Sequence, residues 1–212
     1  MAQTARPLVT LVCTANVCRS VYAAALLSTG ASALPADVTS AGVSAHPRLA
    51  TCPLVLERLT SRDLPVSSAP PRPLEAELVA SSALVLTMTA EQRGEAGRIA
   101  PAARQHVFTL IEATALAEAL LERLEGRPTF SEWVTALGGL RGRVQLPVTP
   151  VRVGRWPRRH VEHVPDIGIP DGHTSDRTVD HLNALRSVEE YTGRLAAAAL
   201  RALGGPHPQE NR

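Results

Sequence analysis

The sequence has no lysine: all 22 of its basic side chains are arginine. Together with its abundant alanine, that bias reads as the mark of a GC-rich coding sequence and carries no functional weight. The arginines are nearly balanced by 20 acidic side chains, leaving a formal net charge of +2, so nothing argues for a general nucleic-acid or polyphosphate binder. Cysteine is scarce. The three present, two of them in one short loop, are no disulfide framework, and no histidines stand at metal-ligand spacing along the chain. Neither a structural metal nor a cofactor is expected. No apolar run approaches the length of a membrane span, and the first residues carry neither the basic region nor the apolar stretch of a secretory signal. The chain therefore reads as cytoplasmic, without a membrane partner. No linker or break in composition divides its 212 residues, so they are expected to form one domain, ending in a disordered tail at about 204–212.

What is present is concentrated near the start. Leu8-Val9-Thr10-Leu11-Val12 has the length and β-branched content of a buried strand, and Val21-Tyr22-Ala23-Ala24-Ala25-Leu26-Leu27 reads as a helix. Between them lies Cys13-Thr14-Ala15-Asn16-Val17-Cys18-Arg19-Ser20, a strand-to-helix turn. The five residues between Cys13 and Arg19 suffice to curl the backbone into a cup of inward-pointing N–H groups, floored by the positive end of the following helix. Such a cup binds a tetrahedral oxyanion through Thr14, Ala15, Asn16, Val17, Cys18 and Ser20. In that field a Cys13 thiol is expected to ionise well below its usual value of about 8.5 and to serve as a nucleophile. The planar fork of Arg19 suits two phosphate oxygens at once and tightens as charge spreads in the transition state. The Ser20 hydroxyl can donate to the cysteine sulfur and stabilise it as a leaving group.

Further on, strand and helix alternate. Asp37 to Ser40 reads as a second strand, Pro53 to Arg62 and Leu74 to Ser81 as helices, and Ala113 to Leu124 and Thr178 to Leu203 as longer ones. Thr89 can cap a helix through Gln92. Alternating units imply a parallel sheet with helices on both faces and right-handed crossovers, which puts the loop at the carboxyl end of the first strand, where such sheets bind ligands. Between Gly126 and His160 the pattern breaks. A short helix from Phe130 to Leu137 is expected, then a proline-containing basic loop carrying Arg141, Arg143, Arg152, Arg155, Arg158 and Arg159; the whole stretch, about 126–163, reads as an insertion or lid, more simply a solvated excursion than a partner surface.

The Cys-x5-Arg-Ser loop between a first strand and a first helix, with Asn16 and Cys18 inside it, resembles the low-molecular-weight protein tyrosine phosphatases. Thr39-Ser40-Ala41-Gly42 resembles that family's Ser-Ala-Gly segment, Ala83 to Met88 its third strand and His106 to Leu110 its fourth. The resemblance implies a three-layer, doubly wound, four-stranded parallel α/β sheet. It also implies metal-independent hydrolysis of a protein phosphotyrosine through a Cys13 phosphocysteine, by a monomer or weak dimer. By the same likeness Asn16 takes a left-handed conformation and hydrogen-bonds Ser40, holding the loop open, and Cys18 is either a redox guard for Cys13 or a packing residue. Cys52 reads as inert.

The family's general acid is an aspartate before a proline, shortly ahead of the last helix, and this chain has no Asp-Pro. Asp171 is the choice on its spacing to that helix, and Asp166 the second candidate. The aromatic walls of the family's substrate cleft are thin here, with His173 and His46 near the corresponding places; Trp133 or Trp156 folding over the site is the less common use of that residue type, a core ring the commoner. An arsenate reductase shares the loop, but its disulfide relay needs further cysteines and none follows Cys52. An oxyanion-binding module without catalysis is the other alternative. A protein-arginine phosphatase is disfavoured by Val17, where that subgroup carries threonine.

Overall fold

The computed structural model of the chain describes residues 6–154, 159–174 and 178–204. The expected tail at about 204–212 therefore falls, beyond Gly204, outside the described residues, as does Trp156. Strand β1 (Leu8–Cys13) is buried from Val9 onward and leads through the loop into helix α1 (Arg19–Ser28). Then follow β2 (Asp37–Gly42), α2 (Pro53–Ser61), α3 (Ala76–Ser81), β3 (Leu84–Thr87), α4 (Ala90–Ile99), β4 (Val107–Thr109) and α5 (Leu110–Leu121). The four strands pair in parallel in the order β2-β1-β3-β4, with Val9 to Val12 of β1 aligned on Leu84 to Thr87 of β3.

Alternation along these strands divides the core. Val9, Leu11, Leu84, Leu86 and Phe108 face one side, packed on Tyr22 and Leu27 of α1, Leu116 of α5 and residues of the last helix, α7 (Thr178–Leu203). Val12, Val85 and Val107 face the other, against Val79 of α3 and Ala96 of α4. A sheet covered on both faces explains why its strands read as near-continuous apolar runs. Thr89 and Thr109 close capping boxes with Gln92 and Glu112, each satisfying two backbone donors at its helix start.

The helix expected from Phe130 to Leu137 is present, whereas the stretch expected to follow it as a basic loop contains two paired strands; Arg155 and Arg158 lie outside the described residues. Helix α6 (Phe130–Gly139) is capped by Thr129 and Glu132 and buries Trp133 completely, so that ring belongs to the core. Strands β5 (Val148–Val153) and β6 (His160–Pro165) form an antiparallel hairpin whose residues are nearly all exposed. Pro150 and Pro165 are tolerated because a two-stranded ribbon consists of edges only. Arg141 is no free surface cation. It donates to Glu112 and to the carbonyls of Arg104 and Val107, and its guanidinium lies 3.9 Å from the centre of the Phe108 ring. Among the described residues no helix is long and apolar enough to cross a membrane.

Candidate functional site

Cys13 is the last residue of β1, 2% exposed, and its Sγ lies 3.0 Å from the Ser20 hydroxyl at the start of α1. The loop between them is shaped by its neighbour in the sheet. Gly42 ends β2 so close to it that a Cβ there would stand 2.6 Å from the Thr14 carbonyl oxygen and 2.7 Å from the Asn16 nitrogen. Glycine is required. Ser44 N–H donates to the Thr14 carbonyl and Val43 N–H to that of Cys13, tying the loop to the chain leaving β2. Asn16 takes a left-handed φ of 56°. Its amide donates to Ser40 Oγ at 2.8 Å and Ser20 Oγ at 3.1 Å, and its Oδ1 accepts from Arg72 N–H at 2.8 Å. Three hydrogen bonds therefore hold a strained backbone in place, which a loop asparagine without partners would not sustain.

Arg19 is 2% exposed, an unusual burial for a side chain that is always charged, and it survives because its donors are matched. Nη1 donates to the Ile169 carbonyl at 2.7 Å, while Nη2 meets Asp171 Oδ2 at 2.5 Å and Thr14 Oγ1 at 3.4 Å. Ile169 is itself pinned, its N–H donating to the Met88 carbonyl at the end of β3, so the loop bearing Asp171 is anchored to the sheet. Burial opposes ionisation of Asp171, but the Arg19 charge and the His173 backbone N–H outweigh it and hold the carboxyl below its usual range. Asp166 lies elsewhere. It sits at the foot of the hairpin, exposed, accepting from Thr149 Oγ1 at 2.5 Å.

A cleft of about 470 Å³ opens above this floor, lined by Thr14, Arg19 and Asp171, by Val43 and Ser44 after β2, and by Thr89, Glu91, Gln92 and Glu95 of α4. Among the described residues no aromatic ring lines it. Gln92 was not singled out as a site residue by the sequence, yet its Nε2 donates to Thr14 Oγ1 at 3.1 Å while its Oε1 accepts from Met88 and Thr89 N–H. One side chain thus caps a helix and braces the loop. The helix-capping signal was visible; the reach to Thr14 was not.

Behind the loop lies a second cluster. Cys18 Sγ is 3.0 Å from His181 Nε2, and Cys52 Sγ 3.5 Å from the same nitrogen. The neighbouring Cys52 sulfur and burial push the Cys18 thiol up, whereas Cys52 is lowered to about 5 by Cys18 and, against burial, by N–H groups of α2 and by His181. Cys52, read from the sequence as inert, stands in this polar cluster with its sulfur against His181.

A parallel doubly wound sheet with a cysteine-to-arginine cup at the carboxyl end of its first strand defines a class of oxyanion-binding α/β proteins. Within that class, residues 8–122, more than half of the chain, match the low molecular weight phosphotyrosine protein phosphatase family, and the chain belongs to it. Solved structures of low identity share the fold. The YwlE arginine phosphatase from Geobacillus stearothermophilus is 20% identical with a TM-score of 0.60, over 95% of this chain and 97% of its own. A YwlE mutant from Bacillus subtilis is 22% identical with a TM-score of 0.58, over 90% and 97% respectively. The tyrosine phosphatase Wzb from Escherichia coli K30, solved with phosphate, is 17% identical with a TM-score of 0.56, over 91% and 97%. No curated protein sequence matches the chain.

Proposed function

We propose that the protein is a phosphomonoester hydrolase, a protein-tyrosine phosphatase in which Cys13 is the nucleophile, Arg19 the phosphate clamp and Asp171 the general acid and base. The observation that carries this reading is the 2.5 Å contact between Arg19 and Asp171, which sets a carboxylate beside the guanidinium at the rim of the Cys13 loop. Asp166, bound to Thr149 on the hairpin, has no comparable position.

The resting ion pair also suggests how the acid is made ready. An arriving phosphate dianion competes for Arg19, whose fork turns its two nitrogens to phosphate oxygens. Asp171 then loses its counter-ion and gains a negative neighbour, and both changes favour its protonated form. The Cys13 thiolate attacks phosphorus, the bond from phosphorus to the leaving oxygen breaks, and that oxygen takes the Asp171 proton. In the second half the Asp171 carboxylate takes a proton from water as the water oxygen attacks phosphorus. The phosphorus–sulfur bond breaks, and sulfur leaves as a thiolate stabilised by the Ser20 hydroxyl 3.0 Å away. Thr14, Ala15, Asn16, Val17 and Cys18 supply the loop that cradles the phosphate, with Ser40 supporting it through Asn16. Cysteine and carboxylate carry all the bond changes, so chelator is compatible with turnover.

The test is hydrolysis of p-nitrophenyl phosphate and of a phosphotyrosine peptide, in chelator, by wild type, Cys13→Ser, Asp171→Asn and Asp166→Asn. The peptide is the poorer leaving group and needs the acid more, so Asp171→Asn should lose about 10²- to 10⁴-fold in kcat on the peptide and less on the nitrophenyl ester. Full peptide turnover in Asp171→Asn with loss in Asp166→Asn moves the acid. The Glu91 and Glu95 carboxylates lining the cleft support a second reading, a phosphoarginine substrate, whose guanidinium they suit. A phosphoarginine peptide run alongside separates the two by kcat/KM.

A further inference from the structure

The Cys18, Cys52 and His181 side chains behind the phosphate loop take no part in the bond changes just described. We propose that Cys18, Cys52, His181 and His173 form a binding site for one thiophilic divalent cation of the zinc class. The ligand chemistry fits: two sulfurs and two imidazole nitrogens are the donor set that selects zinc over hard cations. The distances fit as well. In a tetrahedral site with metal–sulfur bonds of about 2.3 Å and metal–nitrogen bonds of about 2.0–2.1 Å, neighbouring sulfur and nitrogen ligands stand about 3.5 Å apart. Cys18 and Cys52 Sγ stand 3.0 and 3.5 Å from His181 Nε2, and the ligating atoms of Cys18, His173 and His181 all lie within 4.8 Å of one another. Cys52 reaches this group through its 3.5 Å approach to His181.

The four ligands are presented by four separate anchored places. Cys18 ends the phosphate loop, Cys52 precedes the first turn of α2, His181 lies in the first turn of α7, and His173 stands in the short turn after Asp171. Gly172 lets that turn lie against α7, since a Cβ there would be 2.4 Å from His181 Cα. Cys18, Cys52 and His181 are 4%, 5% and 8% exposed, while His173 is exposed, with its ring centre 4.1 Å from that of His181, and so provides the way in. As metal–sulfur bonds form, any proton on the two sulfurs passes to buffer. Ligation through the other ring nitrogen leaves His173 Nδ1, 3.3 Å from Asp171 Oδ1, to hydrogen-bond that carboxylate, and ties the loop bearing Asp171 to the phosphate loop and to α2 and α7.

The experiment uses cobalt(II) and then zinc(II) on the chelator-stripped full chain. One cobalt per chain should bind, with the intense visible bands of a tetrahedral centre and near-ultraviolet sulfur-to-cobalt charge transfer, and one zinc should displace it and raise Tm. Cys13→Ser should bind as wild type does. Loss of a ligand should weaken binding by about tenfold or more, both in Cys52→Ser and in His173→Asn, whose exposed position leaves folding intact. The proposal is overturned by substoichiometric binding, by a cobalt spectrum without tetrahedral or sulfur bands, or by binding that Cys13→Ser abolishes and Cys52→Ser and His173→Asn leave unchanged.

Discussion

Asp171→Asn should bind inorganic phosphate more tightly than wild type, although it is expected to be the poorer catalyst. In the resting protein the Arg19 Nη2 donors that suit phosphate are engaged by a carboxylate at 2.5 Å, so phosphate must displace it. A hydrogen bond to a charged group is worth about 1.5–3 kcal/mol, or about ten- to a hundredfold in affinity. The lower end applies, because Asp171 retains 25% exposure and an asparagine still offers a neutral acceptor. The same change leaves Arg19, 2% exposed, without its counter-charge, so Asp171→Asn should unfold about 1–2 kcal/mol more easily in phosphate-free buffer. Phosphate should restore that loss by mass action. Calorimetric titration with phosphate at fixed ionic strength, paired with urea unfolding in the presence and absence of phosphate, reads both numbers. Equal or weaker phosphate binding by Asp171→Asn would refute the view that one guanidinium is shared between acid and substrate.

Three further outcomes follow from the geometry. Gly42→Ala drives a Cβ into the Thr14 carbonyl, 2.6 Å away, so the loop must shift; stability should fall by about 1–3 kcal/mol and KM should rise, measured by urea unfolding and p-nitrophenyl phosphate kinetics. Asn16→Ala removes the partners of Ser40, Ser20 and Arg72 N–H at a left-handed residue; a loss of about 1–3 kcal/mol with weaker phosphate binding is expected, whereas Ser40→Ala should cost less because it deletes one bond. The Asp171 carboxyl is held below its unfolded value of about 3.9, so its ion pair contributes stability above that pH and loses it as pH falls through the lower folded value. Unfolding free energy measured below about pH 4 should therefore fall less steeply in Asp171→Asn than in wild type.

The parts of the fold written in short-range pattern were legible. Buried strands such as Leu8–Cys13 announce themselves as apolar runs, and Thr89 with Gln92 marks a helix start three residues apart. The Cys13-to-Arg19 loop is local, and so is the spacing that favoured Asp171. The hairpin of Val148–Val153 and His160–Pro165 was missed because its strands are exposed: there is no hydrophobic alternation to read, and the prolines and arginines pointed to loop. The cluster of Cys18, Cys52 and His181 was beyond any local pattern, its hydrogen bonds joining residues 163 and 129 positions apart. Gln92 shows the intermediate case, where one end of a side chain obeys a local rule and the other crosses the cleft to Thr14.

The central claim is a covalent phosphocysteine at Cys13. Rapid quenching of wild type with p-nitrophenyl phosphate in chelator, followed by mass spectrometry of the Cys13 peptide, tests it directly. One phosphoryl group on Cys13, formed within a turnover and absent from Cys13→Ser, is the result the account predicts. Turnover without a phosphorylated Cys13, or with the group on another residue, contradicts it.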